Sequence, residues 1–320
     1  MSRPVPQPVR LLLGVSKLLL RLGLMPSGEK ITAAPHDERL KRTLPAFLTG
    51  KPDLSIRTSD HVVAARGGDV AVRVYARPDV EDNAPVVLFL HGGGFVDFGL
   101  EVSDVFTRAL AARTGYVVVS PSYRLAPEHR FPAALEDCED VLGWIAETRP
   151  MGSDSTRIAV AGESAGANLA AALALATRDH DGPALAHLTV IHPVTDLTLS
   201  SPDWDGGAMP GVDRAQAEQM VAAYCPGNAT HPYVSVLAAD LTDLPPSLVL
   251  SCEHDIARTD TIRFAEALEA AGVETTHIHY DNMPHGYILM RKALKEADVS
   301  LGHIADDLHR HLGSPATAAI

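Results

Sequence analysis

The pentad Gly162-Glu163-Ser164-Ala165-Gly166 narrows the folds open to this chain more than any other segment, because of what flanks it. Residues 157 to 161 read as a short buried strand and 165 to 177 as a helix, so the serine falls on a tight strand-to-helix turn. The two glycines let the backbone turn sharply and let neighbouring chain pass close by. A serine held in such a turn stands alone at the top of a sheet, which is the placement of a nucleophile.

Three other segments end in chemistry in the same way. Pro85 to Leu90 has the length of a buried strand and runs into His91-Gly92-Gly93-Gly94-Phe95, a glycine loop able to turn several backbone N–H groups toward one point. Ser247 to Ser251 is strand-like and ends in Cys252-Glu253-His254-Asp255, with a helical pattern starting near Thr259. Thr275 to Tyr280 alternates like a strand and breaks into Asp281-Asn282-Met283-Pro284-His285-Gly286-Tyr287. Strands alternating with helices predict an open, mostly parallel α/β sheet, with its ligands at the carboxyl ends of the strands.

Read together, His91-Gly-Gly-Gly-Phe95, Tyr123-Arg-Leu-Ala-Pro-Glu-His129, Phe131-Pro-Ala-Ala-Leu135, the Ser164 pentad, Leu244-Pro-Pro-Ser-Leu248, Asp255-Ile-Ala-Arg258 and His285-Gly-Tyr287 resemble the bacterial hormone-sensitive-lipase-like esterases of the α/β-hydrolase fold. The order Ser164, Asp255, His285 is the order of that fold and not that of chymotrypsin or subtilisin. The resemblance implies Ser164 as nucleophile, His285 as general base and then acid, and Asp255 as the group that orients the imidazole. It also implies an oxyanion hole of the Gly93, Gly94 and Ala165 N–H groups with Gly92 as part of the same loop, and His91 and Glu163 as loop support. The chain departs from the family pattern at Glu163, Ala167 and Ile256, where the family usually has aspartate, glycine and proline. Read from the residues alone, Glu253, Asp281 and Asp196 compete with Asp255 for the role of acid.

The resemblance further implies a helical cap built from residues 1–50 and an insertion at 197–232, with the catalytic core formed by 51–196 and 233–320. Residues 9–24 read as an amphipathic helix with Arg10, Lys17 and Arg21 on one face, too charged for a membrane span. Asp203 to Gly207 reads as a loop, 214–224 as a helix, and Trp204, Met220 and Tyr224 as candidates for the wall of an acyl pocket. Residues 62–75 read as a hairpin around Gly67-Gly68 that supplies the antiparallel edge of the sheet.

A net charge of −13 argues against nucleic acid or an anionic membrane as partner and leaves a neutral or cationic small molecule. The three cysteines are scattered, which predicts buried thiols in a cytoplasmic protein, and histidine spacing shows no zinc motif, so no metal or other cofactor is expected. An edge strand near His277 leaves room for a homodimer. The function expected is a serine carboxylesterase acting on short- to medium-chain esters through an acyl-enzyme. The rival readings are a catalytically impaired ligand-binding protein, and an acyltransferase or amidase with the same triad.

Overall fold

The computed structural model describes residues 10, 11, 14, 28–206 and 213–314, so the amphipathic helix read at 9–24 lies outside the described residues apart from three positions. Among the described residues eight strands make one sheet: β1 (Arg57–Ala65), β2 (Gly68–Ala76), β3 (Val86–Leu90), β4 (Val117–Ser122), β5 (Ile158–Glu163), β6 (His187–Ile191), β7 (Ser247–His254) and β8 (Thr275–Pro284), in the order β1-β2-β4-β3-β5-β6-β7-β8. The β1–β2 hairpin closes through the two residues Arg66 and Gly67, with Ala65 facing Gly68. It joins the sheet antiparallel to β4, and every later pairing is parallel. This is the α/β-hydrolase architecture expected from the sequence.

Both faces of the central strands are covered, and their side chains sort with a period of two. Val86, Leu88 and Leu90 of β3 belong to one apolar core together with the helices Ala133–Thr148, Ala165–Asp179 and Arg258–Ala270. Val87 and Phe89 belong to the other, with the helices Asp104–Thr114 and Glu296–Leu312. A run such as Val86–Leu90 is apolar throughout because neither face meets water; all five residues are buried.

The parallel order sets five strand ends side by side: β3 runs into His91, β5 into Ser164, β6 into His192, β7 into Asp255 and β8 into His285. One expectation needs correcting. Asp203–Gly206 forms a short helix, not a loop, with Gly207 outside the described residues. Its start is fixed by tertiary contacts, since the Asp203 carboxylate accepts the Thr259 N–H at 2.8 Å and pairs with Arg258 at 3.4 Å, while Trp204 is buried.

Candidate active site

Ser164 has φ 55° and ψ −122°, a conformation in which a side chain is strained. The surroundings hold it there. The Ser164 N–H donates to Ile191 O at 3.0 Å, and the helix Ala165–Asp179 starts at the next residue. A Cβ on Gly162 would lie 2.2 Å from Gly166 O, and one on Gly166 would lie 2.1 Å from Leu90 O, so both glycines are required by space.

The Ser164 hydroxyl donates to His285 Nε2 at 2.7 Å. On the far side of the ring, His285 Nδ1 donates to both Asp255 oxygens at 2.9 Å. All three residues are buried. The carboxylate is itself oriented by the Ala257 N–H, which donates to Asp255 Oδ1 at 2.8 Å. None of the rival acids is bonded to His285. Glu253 bonds Arg258 and His279, Asp281 is exposed beside His279, and Asp196 accepts from Thr198 and Ser200. Burial disfavours the imidazolium of His285, but the charge and hydrogen bond of Asp255, with a further contribution from Glu163, outweigh it and raise the pKa above the ordinary value.

The glycine loop is braced from below. Gly93 and Gly94 sit at φ 124° and 61°, which glycine tolerates and other residues rarely adopt. Gly92 is glycine for a different reason, because a Cβ there would come within 2.2 Å of Glu163 Oε1. Its N–H donates to that oxygen at 2.7 Å, so Gly92, expected in the oxyanion hole, has its donor occupied and braces the loop. Burial raises the Glu163 pKa, opposed by His285 and by the Gly92 N–H. His91 donates through Nδ1 to Gly92 O at 2.7 Å and stacks on Tyr123, whose hydroxyl donates to His91 O at 2.6 Å. Burial pushes its pKa down to about 4, so it is a neutral prop.

Above Ser164 lies an apolar cavity of about 40 Å³, lined among others by Gly94, Ala165, Leu199, Trp204, Met220 and Ile256. Trp204 and Met220 are therefore wall residues. Tyr224 is not; it lies beneath, stacked on Phe95 with ring centroids 3.9 Å apart. The helix Arg214–Tyr224, which carries Met220, begins with a capping box formed by Asp213 and Gln216 and packs against the helix Gly28–Ala33.

Two buried groups had no signature in the sequence. Arg39 is fully buried; its guanidinium donates to Ala126 O at 2.7 Å, to Ala34 O at 3.0 Å, and to Val96 O and Glu128, tying the 36–40 helix to the segment that follows the glycine loop. His192 is fully buried with its ring centroid 4.4 Å from that of His285, and burial together with His285 pushes its pKa well below the ordinary value. Among the described residues, tertiary structure also gathers two sets with metal-binding chemistry, His192–Asp255–His285 and His187–Asp307–His311, neither of which forms a local motif.

A family model described as alpha/beta hydrolase fold matches residues 87–289. The carboxylesterase NlhH of Mycobacterium tuberculosis is 41% identical over 228 residues, 69% of this chain and 72% of that one. An ethyl acetate hydrolase of Pseudomonas putida is 32% identical over 83% of this chain and 87% of its own. Among solved structures, a hyperthermophilic esterase from Pyrobaculum calidifontis superposes with a TM-score of 0.84 at 32% identity, covering 96% of this chain and 99% of that one.

Proposed function

Because the chain belongs to the hormone-sensitive-lipase-like esterases of the α/β-hydrolase fold and is a carboxylic ester hydrolase, we propose that it cleaves short-chain esters through a Ser164–His285–Asp255 triad and an acyl-enzyme. The observation that carries this reading is the continuous chain of hydrogen bonds from Ser164 Oγ through His285 to Asp255, at the floor of an apolar cavity.

Ser164 Oγ attacks the ester carbonyl as His285 Nε2 takes its proton. The carbonyl oxygen becomes an oxyanion that the N–H groups of Gly93, Gly94 and Ala165 receive. His285 returns the proton to the departing alcohol, leaving the acyl group on Ser164. Water then enters, gives a proton to the same nitrogen and attacks the acyl carbon; the bond to Ser164 Oγ breaks, His285 returns the proton to that oxygen, and the carboxylic acid leaves. Throughout, Asp255 keeps the proton on Nδ1 and stabilises the imidazolium. The insertion at 197–232 acts as a cap, since the wall residues Leu197, Leu199, Trp204, Ala217, Met220 and Val221 come from it, and the helix Gly28–Ala33 packs against its helix Arg214–Tyr224.

The cavity sets the acyl length. A cavity of about 40 Å³ admits only a few non-hydrogen atoms beyond the ester carbonyl, in keeping with acetyl to butyryl groups, which place one to three carbons there. The name of the ethyl acetate hydrolase relative agrees with a small acyl group. Hydrolysis of p-nitrophenyl esters from acetate to palmitate, with Ser164→Ala as the blank, tests both parts. Serine-dependent turnover peaking at or below butyrate is expected. Absence of serine-dependent turnover overturns the triad, and faster turnover of long chains overturns the pocket.

A further inference from the structure

We propose that the active centre is also an inhibitory binding site for a divalent transition-metal cation of the zinc or copper type, held by His192, His285 and Asp255. The inhibition rests on the esterase reading above; the binding does not.

One ligand atom from each of the three residues, two imidazole nitrogens and one carboxylate oxygen, lies within 4.8 Å of the others, and all three residues are buried. Bonds of about 2.0–2.2 Å place tetrahedral ligands roughly 3.3–3.5 Å apart, so shifts of roughly an ångström bring this set around a cation. Two imidazoles and a carboxylate with a fourth position open to a small ligand is a donor set that zinc accepts, and imidazole suits copper as well.

His192 supplies the independent reason. Its side chain is fully buried, and among the described residues neither Nδ1 nor Nε2 has a hydrogen-bond partner. A buried polar group left unpaired is destabilising, and a phenyl or aliphatic side chain would fill the same place without that cost. His192 does not line the acyl cavity, so ester recognition does not explain it. A cation shared with His285 would satisfy one of its nitrogens.

Charge favours the same occupant. Among the described residues Asp255 forms an ion pair only with His285, and no Lys or Arg neutralises its carboxylate. The second cluster is less suited. Asp307 there is already held by His187 at 2.8 Å and by Arg310 at 2.5 Å, and His187 Nδ1 bonds Thr189.

Coordination at either nitrogen of His285 stops turnover. Bound through Nε2, the ring cannot take the Ser164 proton; bound through Nδ1, it loses Asp255.

The binding test uses the Ser164→Ala protein, which keeps all three ligands, titrated with Zn²⁺ against a chromophoric chelator. One equivalent should bind, and His192→Phe in that background should weaken it by at least about tenfold. His192→Gln, which needs no more room than the native ring, should weaken it likewise, with folding of both variants checked by circular dichroism. In the active protein Zn²⁺ should lower kcat on p-nitrophenyl butyrate, a chelator should restore it, and His192→Phe should need at least about ten times more Zn²⁺ for the same loss. No stoichiometric binding, an affinity unchanged by both His192 variants, or binding lost instead in His311→Ala would overturn the proposal. His192-dependent binding without any serine-dependent ester turnover would leave the metal site standing and remove the esterase mechanism. Normal turnover without binding would do the reverse.

Discussion

Replacing Asp255 by Asn tests the acid directly, because the structure provides no substitute for it. His285 Nδ1 is 2.9 Å from both carboxylate oxygens, and Asp255 is only 1 % exposed. During turnover the ring carries a positive charge roughly 3–4 Å from the centre of that carboxylate. At an effective dielectric constant of about 20, such charges attract by about 4–5.5 kcal/mol, which corresponds to about 10³–10⁴-fold in rate. The amide adds a second effect. Its NH₂ group can donate to Nδ1 and drive the ring proton onto Nε2, where it faces Ser164 and blocks proton transfer. The fold should persist, since asparagine has the shape of aspartate and its carbonyl can still accept the Ala257 N–H. The assay is kcat on p-nitrophenyl butyrate, with a urea melt to confirm folding. A folded variant retaining more than about a tenth of native kcat would refute the assignment and return Glu253 or Asp196 to consideration.

Met220→Ala removes about three non-hydrogen atoms from the cavity wall, so the preferred acyl chain should lengthen by about two or three carbons in the same ester series; an unchanged optimum would move the pocket elsewhere. The pH dependence has a defined sign. His285 must be neutral to act as base, and its pKa is raised, so kcat/KM should fall with decreasing pH through a value above that of an ordinary histidine. Glu163→Gln removes one of the groups that raise it, and this acid limb should move to lower pH; movement upward would contradict the electrostatic account. Gly92→Ala should push Glu163 away and strand the Gly92 N–H, costing about 1–3 kcal/mol in urea denaturation, and undiminished stability would show that the brace is dispensable.

The strand-to-helix turn at Ser164, the glycine loop at 92–94, the hairpin, read around Gly67-Gly68 and found one residue earlier at Arg66-Gly67, and the helix Arg214–Tyr224 were all legible in consecutive residues. Each depends on local rules: alternation, helical period, glycine where φ is positive or space is short, and a capping residue. Parallel pairing then follows from strands separated by helices, which is why four candidate groups fall at strand ends on local pattern alone. The residues alone left Glu253, Asp281 and Asp196 in competition with Asp255, which the family resemblance favoured; the packing of β7 against β8 is what brings Asp255 within hydrogen-bond reach of His285. Neither the Asp203–Gly206 helix, anchored from Arg258 and Thr259, nor the position of Tyr224 beneath Phe95 was legible. Arg39 resembles any charged residue of a short helix until the chain near Val96 and Ala126 closes over it. His192 looks like the end of a strand until β8 delivers His285 against its ring. The sequence by itself determined the fold and the kinds of groups brought to its edge, because those reside in neighbours along the chain. Which groups touch, how much room they leave and what each is charged against were decided by contacts between distant segments, whose distances no local pattern encodes.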